Sequence, residues 1–348
     1  MTSTLPYLQP YEGRSVLITG GLGFIGSNLA RRLVEIGGVD VAIVDAMVPD
    51  QGGNLFNLDG IQQRVTCHVA EIGSDRVIGR LVAGRDYIFN LAGSTSHVDS
   101  MREPRRDLQL NCAAQLTFLE ACRRLNPSAK VVFTSTRQVY GKPLYLPVDE
   151  QHRVAPPDIN GIHELTAEHY HLLYHRLYGV RSVILRLTNV YGPRQLMRHP
   201  RQSFIAWFIR QAIEGGVIDV FGDGRQRRDL NHVDDVVTAL LMAGASEAAD
   251  GEIFNLGGDE PMTVAELASE LIALTGRGVA RRVPFPPDRR LIDIGTFYSS
   301  FAKIERALGW RPCTPLRVGL QCTLDFYERH RAHYWTPEAE VGSGSSRS

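Results

Sequence analysis

The stretch SVLITGGLGFIGSNLARRL, residues 15–33, decides the fold. It opens as the short β-branched apolar run of a buried strand and closes with the apolar spacing of an amphipathic helix. Gly20, Gly23 and Gly26 lie between the two. A strand-to-helix turn with this G-x-x-G-x-x-G spacing lets the backbone come close to an anion and the helix pack tightly on the sheet. It also aims the first helical amides at the ligand. Asp45 ends the next apolar run, VDVAIVD (39–45). A carboxylate at about this remove from the glycines accepts hydrogen bonds from an adenosine ribose diol and repels a 2′-phosphate, so the two features together predict bound NAD rather than NADP.

Outward from this unit the same alternation continues. DYIFNLAG (86–93), KVVFTST (130–136) and RSVILRLT (181–188) read as buried strands, and DLQLNCAAQLTFLEACRRL and ELTAEHYHLLYHRLYG between them have helical periodicity. The repeat predicts an α/β fold with a Rossmann-type, doubly wound parallel sheet in a domain over 1–190, with a later return near 228–245. Beyond about residue 194 Pro and Gly become frequent. A smaller, mixed α/β C-terminal lobe is expected over 191–335, followed by a disordered tail over 336–348 that ends EVGSGSSRS.

Composition narrows the classes further. The 348 residues carry 38 basic against 38 acidic side chains, so no net field draws the whole molecule to nucleic acid or to a membrane surface. No segment approaches the roughly 20 apolar residues of a membrane span. Cys67, Cys112, Cys122, Cys313 and Cys322 are scattered and odd in number, with no metal-ligand spacing, and are expected to be reduced core thiols of a cytoplasmic protein. No metal site is expected.

Six ordered landmarks carry a resemblance that covers nearly the whole chain: TGGLGFIG, NLAG (90–93), FTSTRQVYG (133–141), RLTNVYGPRQ (186–195), FGDGRQRRDLNHVDDVV (221–237) and ALGWRP (307–312). The sequence resembles the extended short-chain dehydrogenase/reductases of the nucleotide-sugar epimerase and dehydratase group. The resemblance implies a tightly held NAD, a nucleoside-diphosphate sugar as substrate between the lobes, and a homodimer joined by helices near 108–124 and 164–178. Residue by residue it implies that Phe24 and Ile25 belong to the pyrophosphate turn, that Glu71 and Ile72 flank the adenine, and that Leu91, Ala92 and Gly93 line the dinucleotide. Asn189 falls where an asparagine touches the sugar nucleotide, and Arg228 where an arginine grips its diphosphate. Arg289 is a second phosphate candidate, and guanidinium forks suit such oxygens. The alternative for Arg228 is an ion pair with Asp229, Asp234 or Asp235.

The family's catalytic set is a Ser or Thr after the fourth of these strands, a tyrosine base, and a lysine four residues beyond the tyrosine. Thr136 fits the first position. The segment NGIHELTAEHY (160–170) fits the others in register but places Asn160 at the tyrosine and Glu164 at the lysine. An amide cannot exchange protons as a phenol does, and a carboxylate reverses the charge beside the cofactor. Glu164 could itself be the base, with His163 or Thr136 passing the proton, Glu164 could be protonated or turned away, or redox chemistry could be lost. His97, on the loop that faces the sugar, is a substrate contact and a further acid/base candidate. Arg137 and Gln138 stand where 4,6-dehydratases carry Asp-Glu, which argues against dehydration. The leading expectation is an NAD-dependent epimerase acting through a transient keto intermediate. A pseudoenzyme that only binds these ligands, or an elimination or decarboxylation of a related activated sugar, are the alternatives.

Overall fold

The computed structural model describes residues 6–335, and the expected tail over 336–348 lies outside them. The N-terminal half alternates strand and helix. β1 (Ser15–Thr19), α1 (Phe24–Ile36), β2 (Asp40–Asp45), β3 (Val65–Val69), α2 (Asp75–Val82) and β4 (Tyr87–Asn90) come first. The short α3 (His97–Arg102) and α4 (Pro104–Leu108) follow, and a π-helical turn, Gln109–Ala113, leads into α5 (Ala114–Leu125). Then come β5 (Lys130–Thr136), the long α6 (Ile159–Tyr178) and β6 (Arg181–Leu187).

The second half is more irregular. It runs β7 (Asn189–Tyr191), α7 (Phe204–Glu214), β8 (Val217–Phe221), β9 (Arg227–Arg228), β10 (Leu230–His232), α8 (Val233–Ala245), β11 (Ile253–Asn255), β12 (Met262–Thr263), α9 (Val264–Thr275), β13 (Val279–Val283), α10 (Pro287–Ile292), α11 (Ala302–Leu308) and α12 (Leu316–His330).

Seven strands form one parallel sheet in the order β11-β6-β5-β4-β1-β2-β3. The order reverses direction between β1 and β4, and such a switch point opens a crevice at the C-terminal strand ends. Two apolar layers sandwich the sheet. One packs α1 and α8 through Leu29, Leu33, Val236 and Leu240, and the other packs α2, α5 and α6 through Ile78, Phe118, Leu119 and Tyr174. A separate core of α7, α9 and α12, with Phe208, Ile209, Leu271, Leu324 and Tyr327, builds the C-terminal lobe.

Two strands of the sheet escape the sequence reading. β3 is an edge strand whose residues are mostly exposed, so it lacks a continuous apolar run, and β11 is only three residues long. The apolar run at 86–93 pairs only through Asn90, because Thr19 Oγ1 takes the amides of Leu91 and Ala92 (3.0 and 3.1 Å) and turns the chain away from the sheet. The cysteine expectation needs correction. All five are free thiols, but only Cys112 and Cys122 are core residues, and Cys67, Cys313 and Cys322 lie in exposed positions on β3 and in the C-terminal lobe. Among the described residues no helix is long and apolar enough to cross a membrane, and no cluster of His, Cys, Asp or Glu could hold a metal ion.

Candidate active site

The switch-point crevice is a cavity of about 810 Å³ running from the ends of β1, β2 and β4 past β5 to the C-terminal lobe. At its first end the glycine turn meets α1. Gly20 has φ +69°, and a Cβ there would crowd the Leu91 carbonyl and Ala92; a Cβ on Gly26 would collide with the Gly20 carbonyl. No side chain caps α1 at Gly23, so its first amides remain available to an anion. Asp45 pins the same turn, its Oδ2 accepting from Leu22 N (3.1 Å) and its Oδ1 from Met47 N (2.9 Å). Burial raises the Asp45 carboxyl above its usual range, and these two backbone bonds work against that rise. Phe24, Ile25, Glu71, Ile72, Leu91, Ala92 and Gly93 line this end with them. Close backbone, uncapped amides and a carboxylate at the end of β2 fit a dinucleotide.

At the other end the cavity is lined by His97, Thr136, Asn160, Glu164, Asn189, Arg228 and Arg289. Thr136 ends β5 and caps the turn after it, accepting from Gln138 N at 3.2 Å, which leaves its own proton free to donate. Asn189 donates to the Asp229 carbonyl (3.0 Å). Arg228 is buried and pairs with Asp293 (3.3 Å) and the carbonyls of Arg227 and Gly295, not with Asp229, Asp234 or Asp235. Burial lowers its guanidinium below the usual range. Arg137 is also cavity-lining, and its buried Nε has no partner among the described residues. Burial first, and the like charge of Arg228 second, bring the Arg137 guanidinium down to about 10. Two guanidinium groups that repel one another in a buried pocket form a receptor for an anion. Arg289 lies over the Phe221 ring at 5.5 Å.

α6 carries the substituted catalytic positions. Asp158 caps the helix, its Oδ1 accepting from Gly161 N at 2.7 Å. Asn160 is buried and its donors are taken: its Nδ2 donates to the Ser94 carbonyl (2.7 Å) and Asp107 Oδ2 (3.3 Å), and its N–H to Ser100 (3.2 Å). His163 does not line the cavity. Its Nδ1 is 2.7 Å from Asp107 Oδ1, and Asn111 also donates to Asp107 (3.2 Å). Asp107, Asn111 and Asp158 are buried organising residues that the sequence reading does not single out. Only Asp158 had a local signal, a helix-capping Asp after Pro-Pro.

Glu164 meets the cavity beside Gly93, and its Oε2 is buried with no partner among the described residues. Burial raises its carboxyl well above the ordinary range, and the nearby carboxylates Glu168 and Asp107 raise it further. The neighbouring Glu168 carries its own cation, because Arg186 makes a two-pronged pair with it (2.9 and 2.5 Å). The neutral acid is therefore the favoured form of Glu164.

Comparison with known proteins agrees with this geometry. Residues 16–257 match the family model described as the NAD dependent epimerase/dehydratase family. A putative UDP-glucose 4-epimerase of Methanocaldococcus jannaschii is 31% identical over 320 residues, spanning 90% of this chain and 99% of that protein. A UDP-glucuronic acid decarboxylase 1 of Xenopus tropicalis is 28% identical, spanning 94% of this chain and 75% of its own. The structure of a dTDP-glucose 4,6-dehydratase from Streptomyces venezuelae with NAD bound superimposes with a TM-score of 0.84 at 27% identity, covering 92% of this chain and 98% of that one. The cofactor held in that structure is NAD, and NAD is the cofactor of this chain. Landmarks, sheet order and crevice converge with these matches, and the chain belongs to the NAD dependent epimerase/dehydratase family.

Proposed function

We propose that this protein is an NAD-dependent epimerase of a nucleoside-diphosphate sugar that works through a transient keto intermediate with an atypical acid/base set. The observation that carries this reading is a single cavity that joins the glycine cradle to an arginine-rich end, with Thr136 between them. NAD held there would supply a reversible acceptor for the hydride of a sugar carbinol. Arg228 and Arg289 hold the diphosphate, Asn189 touches the sugar nucleotide, and Thr136 donates its free hydroxyl proton to the reacting oxygen. Neutral Glu164 is a hydrogen-bond donor at the lysine position, so the charge reversal suggested by the sequence does not oppose hydride loss. Asn160 closes the cavity wall and moves no proton. Arg137 and Gln138 supply no acid or base for dehydration.

A homodimer fits the exposed apolar side chains of the helices named for it, Leu108 and Leu116 on one and Leu177 and Tyr178 on the other. Free thiols without a disulfide fit a reducing, cytoplasmic setting. The second reading, a binding protein without turnover, draws on the structural employment of Asn160. NMR of the NAD-loaded protein with a panel of nucleoside-diphosphate sugars decides between them. An epimerised product is expected, and no reaction across a panel that binds would leave the binding protein.

A further inference from the structure

We propose that His97, aligned by the buried carboxylate of Asp158, takes and returns the carbinol proton in this chain, a task for which Asn160 is chemically unfit. The assignment rests on the redox reading above. His97 opens α3 and lines the cavity, and its Nδ1 sits 3.1 Å from Asp158 Oδ2. The approach is not linear enough for an ideal hydrogen bond, yet no other described group meets this buried nitrogen.

Asp158 is held from three sides. Gly161 N binds its Oδ1, and Gln138 Nε2 binds its Oδ2 at 2.7 Å. Gln138 spends its second amide hydrogen on the Ile292 carbonyl at 3.1 Å, so the amide cannot be flipped without losing two donors. Burial works against charge on Asp158, but His97 and these donors together hold its carboxyl below the ordinary range. A carboxylate at Oδ2 fixes the proton of the neutral imidazole on Nδ1 and leaves the Nε2 lone pair for the cavity. Gln138 also ties the pair to Thr136, through its N–H bond to Thr136 Oγ1 (3.2 Å). The imidazole and the threonine hydroxyl thus line one cavity and are tied to each other through Gln138 and Asp158.

The other candidates are occupied. His163 turns to Asp107, and Glu164 favours its neutral form. Tyr140 donates to Asn255 (2.7 Å), accepts from Arg186 (2.7 Å), and is buried. The other charged groups that share the cavity with His97 are Arg137 after β5, Arg201 before α7, Asp219 on β8, Arg228 on β9, Arg289 on α10 and Asp293 beyond it, with Asp45, Glu71 and the neutral-leaning Glu164 toward the dinucleotide end. In the step itself the carbinol O–H proton passes to His97 Nε2 while the C–H hydrogen leaves with its electron pair to bound NAD, giving a ketone. The return step gives both back, so nothing is consumed.

Two variants of the full chain test this. His97→Gln keeps the side chain's bulk and is expected to lower the interconversion rate by about 100-fold or more, with NAD and nucleotide-sugar affinities within about threefold. Asp158→Asn keeps a good helix cap but loses the acceptor at Oδ2. It is expected to lower kcat with KM unchanged and, in nitrogen NMR, to abolish the Nδ1–H tautomer preference that His97 shows in the unmodified protein. A wild-type His97 protonated on Nε2, or a His97→Gln protein within about threefold of wild type, overturns the assignment while the redox reading stands. If the wild type interconverts no sugar of the panel, the redox reading falls and the assignment falls with it.

Discussion

Glu164 is the residue whose chemistry the structure changes most. At the position of a cationic lysine the sequence places an acid, and a full charge about 4 Å from the nicotinamide would be worth about 4 kcal/mol at an effective dielectric of 20. In the structure burial, with Glu168 and Asp107 nearby, raises that carboxyl well above its ordinary range and favours the neutral form. The sign of the consequence follows from linkage. A carboxyl raised above its unfolded value keeps a proton that the unfolded chain releases, so its contribution is harmless below the ordinary Glu range and destabilising as pH climbs from there. Glu164→Gln is therefore expected to raise the melting temperature at neutral pH by a few degrees and to leave it unchanged near pH 4, as read by calorimetry. A Glu164 that stays neutral exchanges no proton when NAD⁺ binds, so calorimetric titration in buffers of different ionisation enthalpy should show the same proton balance for NAD⁺ in wild type and in Glu164→Gln.

At the scale of elements, the strand-turn-helix unit over 15–36 is the best-determined part of the site and the most brittle. Gly26 faces the Gly20 carbonyl with no room for a methyl group. Gly26→Ala should abolish NAD retention in native mass spectrometry and cost about 1–3 kcal/mol of stability through overpacking. This unit was also the most legible, since spacing, hydrophobic period and terminal carboxylate all lie within one short stretch. The acid/base end was less so. Asp107 reaches Asn160 across 53 positions and His163 across 56, and Gln138 reaches Asp158 across 20. No periodicity announces such pairings, because they arise only when α4, α6 and the turn after β5 pack together. The sequence put Asn160 and Glu164 at the tyrosine and lysine positions, and both line the cavity. What it lacked was the set of partners that makes one a wall and the other a neutral acid, and that turns His163 out of the cavity.

The whole molecule is held together by crossings rather than by one linker. β7, directly after β6, pairs with β10, β11 completes the large sheet beside β6, and α8 covers that sheet. The apolar residues left open on α5 and α6 suit a second copy of the chain. For the proposed homodimer, replacing Leu116 and Leu177 together with Asp should give a folded monomer in sedimentation, since both side chains are exposed in the single chain. The seventh strand carries a different consequence. A chain severed in the exposed turn at Asp223 would separate β1–β8 from α8 and β11, leaving one piece with an unpaired edge at β6 and the other with the strand that fits it. Neither piece holds a complete nucleus, yet each is a template for its counterpart, so the two should be insoluble when made singly and reassemble when made together. The fold is in that sense a lock divided into two keys.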